Sequence, residues 1–418
     1  MLRYRLFQFS FPILATLFVF QACKHDPDLH NLGDTNAYGE NGVNPPLDSL
    51  QFLKLNEIQV VASHNSYRIK TDESIFNFVQ NIKSLLPSSL DPDGWDYDHL
   101  PLPEQLGDYQ VRGLELDIYN DPSGGQFSNR AGNLLVQKPI ASGLVELEQP
   151  GFKMMHIPDL DYNTHYLTFK AGLQALKNWS DAHPNHIPIF VNIETKEETP
   201  ASYVSSALPF PIPGLSFAQA VPYDASAMVA FDEEVKAVFG ADLEQVFTPD
   251  ELRGNFTSLR AATMAENWPT LNAMRGKIIF IMEGAAVDNY LEASTNLQGK
   301  TSFVYADNIS EDYAAFVILN NPVSNQNDIQ EAVSKGFIVR TRSDSNTDEA
   351  RTGDYTSADA AIASGAQIIS TDYYRPDPRS AVQGSGWTDF QVKLPGGKMF
   401  RINPVVAPQK VGWGQLTE

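Results

Sequence analysis

Eight short, nearly unbroken apolar runs punctuate the chain, and their spacing constrains the fold more than any other feature. They lie at residues 58–63, 111–118, 152–156, 187–193, 277–282, 303–306, 337–341 and 367–370. Strict apolar–polar alternation marks a sheet with one wet face, whereas continuous runs suit parallel strands covered on both faces. Helical periodicity fills several gaps, at 168–182, 311–319 and 357–364. Eight buried strands with helical crossovers predict an α/β protein, a TIM (β/α)8 barrel. An open doubly wound sheet is the alternative. It is disfavoured because no G-x-G-x-x-G follows the first run.

Two stretches break the rhythm and read as insertions, 67–106 after the first strand and 195–275 after the fourth. The second contains Pro209, Pro211 and Pro213, which forbid a regular helix or central strand there. Segment 208–215 is therefore read as a loop packed on its own domain, with an apolar lip touching lipid as the alternative. One barrel domain, 51–418 with an extension after the last strand, accounts for all of this.

The N-terminal residues have another logic. Arg3 and Arg5 precede an apolar run from Leu6 to Phe20, broken by Gln8, Ser10, Pro12 and Thr16. That suits the core of a signal peptide, 1–22, better than a transmembrane helix. It ends in Ala22-Cys23, and Cys23 is the sole cysteine. A small residue before a cysteine resembles the bacterial lipobox, so Cys23 is the expected lipidation site. Residues 23–50, rich in Asp, Asn, Gly and Pro, then form a flexible tether. An exported, membrane-anchored bacterial lipoprotein follows, with ordinary cleaved secretion and a retained anchor as alternatives, its membrane face and oligomeric state undetermined. With one cysteine, no internal disulfide or Cys-based zinc site is available. The formal net charge of −21 excludes nucleic acid as a partner and repels anionic lipid, so an anchor must supply membrane proximity.

Catalytic groups of such barrels gather where strands end. The first run leads into Ser63-His64-Asn65-Ser66-Tyr67, the second contains Glu115-Leu116-Asp117, the third ends on His156, and the fourth runs into Glu194-Thr195-Lys196. Glu115 and Asp117, two residues apart, share one face of their strand. With Glu194 and Asn65 they form a set of hard oxygen donors. Calcium fits it; magnesium keeps more water, and zinc more often recruits His or Cys. His64 and His156 add groups that exchange protons near neutrality. His25 and His30 fall in the tether, and His99, His165, His183 and His186 read as surface residues.

The ordered set Ser63-His64-Asn65-Ser66-Tyr67, Glu115-Leu116-Asp117, His156, Glu194 resembles the phosphatidylinositol-specific phospholipase C superfamily, in its calcium-dependent bacterial branch. Supporting pieces are Thr248-Pro249-Asp250-Glu251-Leu252-Arg253-Gly254, the segment from Gly336 to Asp344, and the segment from Ser364 to Tyr373. The resemblance implies a PLC-like phosphodiesterase barrel with His64 and His156 catalytic. It implies one Ca2+ ion held by Asn65, Glu115, Asp117 and Glu194. Metal-independent relatives place an arginine where calcium would sit, and the Glu-Leu-Asp here matches the calcium version. The implied reaction converts a phosphatidylinositol-type phospholipid, or a GPI-like phosphodiester, to diacylglycerol and a cyclic inositol phosphate by attack of the inositol 2-hydroxyl. His64 or a carboxylate takes the proton, and His156 protonates the leaving oxygen. Lys196 and Arg340 are candidates for binding phosphate or sugar hydroxyls, and Tyr373 for stacking on the ring. Two other readings remain: a glycerophosphodiester phosphodiesterase, disfavoured because Asn65-Ser66 follows His64 where those enzymes carry His-Arg-Gly, and a non-catalytic lipid- or inositol-binding lipoprotein.

Overall fold

The expected barrel forms, with one strand exchanged. The computed structural model describes residues 49–86, 91–202, 212–413, 416 and 418. Its strands are β1 (Ile58–Ser63), β2 (Gly113–Tyr119), β3 (Lys153–Met154), β4 (Ile189–Thr195), β5 (Ile278–Gly284), β6 (Phe303–Ala306), β7 (Phe316–Ile318), β8 (Ile338–Arg342), β9 (Ile368–Thr371) and β10 (Phe400–Ile402). Taken in the order β1, β2, β4, β5, β6, β7, β8, β9, eight of them pair in parallel, and β9 pairs again with β1 to close the ring. Their residues are almost all buried, which explains the continuous apolar runs.

The run at 152–156 is not a barrel strand. Only Lys153–Met154 is extended, and it pairs antiparallel with the end of β2. Phe152 and Met154 are buried in the barrel's core cluster, and Met155 in a neighbouring cluster beneath the loops. In sequence, that burial looks the same as a strand's. The missing barrel strand is β7, inside 311–319, which the periodicity predicts as helix. Ala314 and Ala315 lend that stretch its helical look, but Phe316, Val317 and Ile318 favour a pleated surface and pair with β6 and β8. The chain thus passes from β6 to β7 through a loop with no helix.

Helix Phe169–Ala182 buries Phe169, Leu173, Leu176 and Trp179, spaced for one face, and the Thr168 hydroxyl caps it by accepting from the Ala171 N–H at 3.2 Å. Helix Thr356–Ser364 stops at Gly365, whose φ of +84° is left-handed and whose missing Cβ leaves room for Val405. The first insertion carries helices Glu73–Asn81 and Leu102–Gly107; the second carries Ala225–Phe239, Pro249–Arg253 and Leu259–Met264. Of segment 208–215, positions 208–211 lie outside the described residues, and Leu215 packs beside buried Phe217 against this domain. The signal peptide and tether, through residue 48, also lie outside. Among the described residues no helix is long and apolar enough to cross a membrane.

The closing seam is narrow. β1 and β2 share a single register pair, Ala62 with Gly113, and a Cβ on Gly113 would stand 2.4 Å from that of Ala62. Nearer its start, β1 is covered instead by β10, antiparallel, with Ile58 opposite Ile402. The segment after the last barrel strand therefore returns to seal the seam.

Candidate active site

β1 ends in a tight turn that aims two side chains at once. Asn65 takes a left-handed φ of 49°, which asparagine tolerates better than most residues. The Arg68 N–H closes the turn on the Asn65 carbonyl at 2.9 Å, and Ser66 bonds the backbone of Glu115 through both its N–H and its hydroxyl. His64 and Asn65 are thereby fixed to β2.

Glu115 and Asp117 lie beside Asn192 and Glu194 in the β2–β4 register, and Glu194 lies beside Glu283 in the β4–β5 register. One oxygen from each of Glu115, Asp117 and Glu194 falls within 4.8 Å of the others. Two cations share the cluster. Lys196 Nζ is 3.1 Å from Asp117 Oδ2 and 3.4 Å from Glu194 Oε1. Arg340, 3% exposed, pairs with Glu115 and lies 3.8 Å from Glu283. Burial, with the charges of Glu194 and Glu115, pushes the Asp117 carboxyl up against the pull of Lys196. Burial likewise raises Glu283 to about 7. Burial also opposes ionisation of Glu194, but Lys196, His64 and His156 together hold that carboxyl below its ordinary range.

This set fits a calcium ion. Asn65 Oδ1 and Asp117 Oδ1 are buried without a hydrogen-bond partner among the described residues. Buried, unpaired oxygen acceptors together with a carboxylate trio are what a hard cation satisfies.

Each catalytic histidine candidate is held by a carboxylate. His64 Nδ1 is 2.7 Å from Asp372 Oδ1, and its Nε2 lies 3.9 Å from Glu115 Oε1. Arg342 reaches Asp372 Oδ2 at 3.0 Å, and the Asp372 N–H donates to Asp344 at 2.9 Å. Burial opposes charge on Asp372, yet His64 and Arg342 hold it well below the usual carboxylate range. Burial and the Asp372 charge instead raise Asp344 to about 7. His156 sits in the loop after β3, not on a barrel strand, and its Nδ1 is 2.7 Å from Asp161 Oδ2. Asp161 also accepts from the buried Arg68 at 2.7 Å and from Thr71 at 2.6 Å, so both loops meet there. Burial lowers His156 to about 4. For Asp161, burial is overcome by Arg68 and His156, which lower it to about 2.

Both histidines, Asn65, Lys196, Arg342, Asp372, Trp95 and Tyr119 line one cleft of about 190 Å³ at the carboxyl ends of the strands. Arg340 lies beneath the carboxylates, bonded to Asn320 and Ser370, and Tyr373, 2% exposed, packs among Tyr97, Trp387 and Phe390. Neither lines the cleft.

Residues 53–404 match the family described as phosphoinositide phospholipase C, Ca2+-dependent. The chain belongs to that family. It is accordingly a phosphodiesterase, and its family is calcium-dependent. Similar solved structures include the calcium-dependent phosphoinositol-specific phospholipase C from a Pseudomonas species, with 18% identity and TM-score 0.49 over 85% of this chain and 96% of that one. The calcium-dependent phosphatidylinositol-specific phospholipase C from Streptomyces antibioticus has 15% identity and TM-score 0.46 over 77% and 95%. The phosphatidylinositol-specific phospholipase C from Listeria monocytogenes has 10% identity and TM-score 0.40 over 77% and 89%. A comparison with curated proteins finds no match.

For this phospholipase C family member, sequence reasoning missed Asp372, Asp161, Arg68, Arg342 and Glu283. Asp372 carried a signal, since it follows the last barrel strand, which must neighbour the first. Arg68 and Asp161 carried none, because both come from loops. His99 and His186 are buried, contrary to the surface reading. His99 Nε2 donates to the His64 carbonyl at 2.6 Å, and burial lowers it to about 3. His186 bonds Ser180 at 2.8 Å.

Proposed function

We propose that this protein cleaves phosphatidylinositol-type phospholipids, or GPI-like phosphodiesters, to diacylglycerol and a cyclic inositol phosphate, using one calcium ion held by Asn65, Glu115, Asp117 and Glu194. The observation that carries this reading is the opposition, across one cleft, of two carboxylate-held histidines beside an oxygen-only cluster with unpaired buried acceptors. The match over residues 53–404 supports it. Bound there, calcium supplies charge that lowers the pKa of a nearby hydroxyl and offsets negative charge on phosphoryl oxygens.

Donation of the Nδ1 proton to Asp372 leaves His64 Nε2 as an acceptor, the form needed to take a proton from the 2-hydroxyl. Asp372, kept ionised by Arg342, stabilises the imidazolium that results. His156 acts across the cleft as the acid for the leaving diacylglycerol oxygen. Burial lowers it to about 4, and the negative charge of a phosphodiester beside it would raise that value and favour the protonated form needed for an acid. Lys196 and Arg342 are the cations of the cleft lining available to phosphate.

In the same reading, acyl chains on Cys23 hold this acidic enzyme at a bacterial membrane, and the chain from 51 onward forms one catalytic domain.

The test is product analysis with phosphatidylinositol, with and without a calcium chelator. A cyclic inositol phosphate that disappears on chelation is expected. Turnover of glycerophosphocholine but not phosphatidylinositol would favour the glycerophosphodiesterase reading. Calcium binding with no phosphodiester turnover would favour the non-catalytic one.

A further inference from the structure

Lys196 stands where a bound cation would compete with it. Its ammonium bridges Asp117 and Glu194, two of the three carboxylates that converge within 4.8 Å. Its backbone is fixed, the N–H donating to the Ile118 carbonyl at 3.0 Å as one further rung of the β2–β4 ladder. The long side chain above that rung has Tyr119 as a further electrostatic neighbour, and it also borders the cleft beside His156 and Tyr119. The second cation, Arg340, is more firmly held. It is 3% exposed and tied to Glu115, Asn320 and Ser370.

Resting on the calcium reading above, we infer that Lys196 is a resident counter-ion exchanged for calcium: it neutralises the carboxylates when the metal is absent, and calcium drives its ammonium into the cleft, where it binds the phosphate. A divalent ion and an ammonium cannot share the same two carboxylates without strong repulsion, and lysine carries its charge on a stem built to swing. Arg340 stays in place and caps the charge of Glu115. The exchange couples the two ligands. Calcium frees the phosphate-binding group, and by linkage a phosphate that captures Lys196 tightens calcium.

The experiment is calorimetric calcium titration of the full chain, with and without methyl phosphate, on wild type, Lys196→Met, Lys196→Gln and Asp117→Asn, each checked by thermal melting. Methyl phosphate is expected to tighten calcium binding by roughly ten-fold in wild type. Both Lys196 variants should bind calcium about ten-fold tighter than wild type without phosphate, and show no tightening with it. Calcium affinity unchanged or weakened in both folded variants overturns the exchange, even if Asp117→Asn has lost calcium. Wild-type calcium binding in Asp117→Asn overturns the metal assignment itself, a different failure.

Discussion

Asp372, one residue past the last barrel strand, holds His64, one residue past the first, with 2.7 Å between carboxylate and ring nitrogen. The bond fixes the tautomer that leaves Nε2 as the acceptor. Asp372→Asn should therefore lower kcat by about 10²–10³ with little change in KM, and His64→Ala by at least about 10². Steady-state kinetics on phosphatidylinositol vesicles read both. Near-wild-type turnover in His64→Ala would remove that residue from the mechanism.

His156→Ala should also cost at least about 10² in turnover. Its second signature is in stability. The folded-state pKa is lowered to about 4 from an ordinary 6.5, so between those values the unfolded chain binds the extra proton. Stability from this group is full above about pH 6.5 and is lost as pH falls through 4. Urea denaturation at about pH 7.5 and about pH 5 should show a smaller loss in His156→Asn than in wild type; equal losses would contradict the buried, neutral imidazole.

Calcium should stabilise the fold as well as support turnover. An ion at a hundred times its dissociation constant adds about 2.7 kcal/mol. Thermal melting with calcium and with chelator should differ in wild type and coincide in Asp117→Asn. Chelator-insensitive turnover would argue against the metal.

Gly113 is a packing requirement of the seam. Gly113→Ala puts a methyl 2.4 Å from the Ala62 Cβ and should cost about 1–3 kcal/mol by denaturant unfolding. Adding Ala62→Gly should recover part of that loss, since it removes the atom in conflict. An unaltered midpoint in Gly113→Ala would mean the strands part there at no cost.

Cys23→Ser should move the protein from the membrane to the soluble fraction without changing activity on short-chain substrate. Fractionation of expressing cells checks this, and retention in the membrane would point to an uncleaved anchor.

The barrel was legible because parallel strands buried on both faces leave unbroken apolar runs, and because chemistry sits where such strands end. His64, Asn65, Glu115, Asp117 and Glu194 were singled out that way, and the structure gathers them at the carboxyl ends of the strands. The exchange of 152–156 for Phe316–Ile318 shows the limit, since an apolar run reports burial and not pairing. Arg68 and Asp161 could not be read at all. They meet across 93 residues through loops whose course no periodicity records.

The pairing of His64 with Asp372 has a temporal side. One partner leaves the ribosome near the beginning of the domain and the other near its end, and they meet only when β9 docks on β1. A chain still being made has a histidine but no orienting carboxylate. The ring that gives the protein its shape thus also times its site, because the pair is complete only once the last strand is in place.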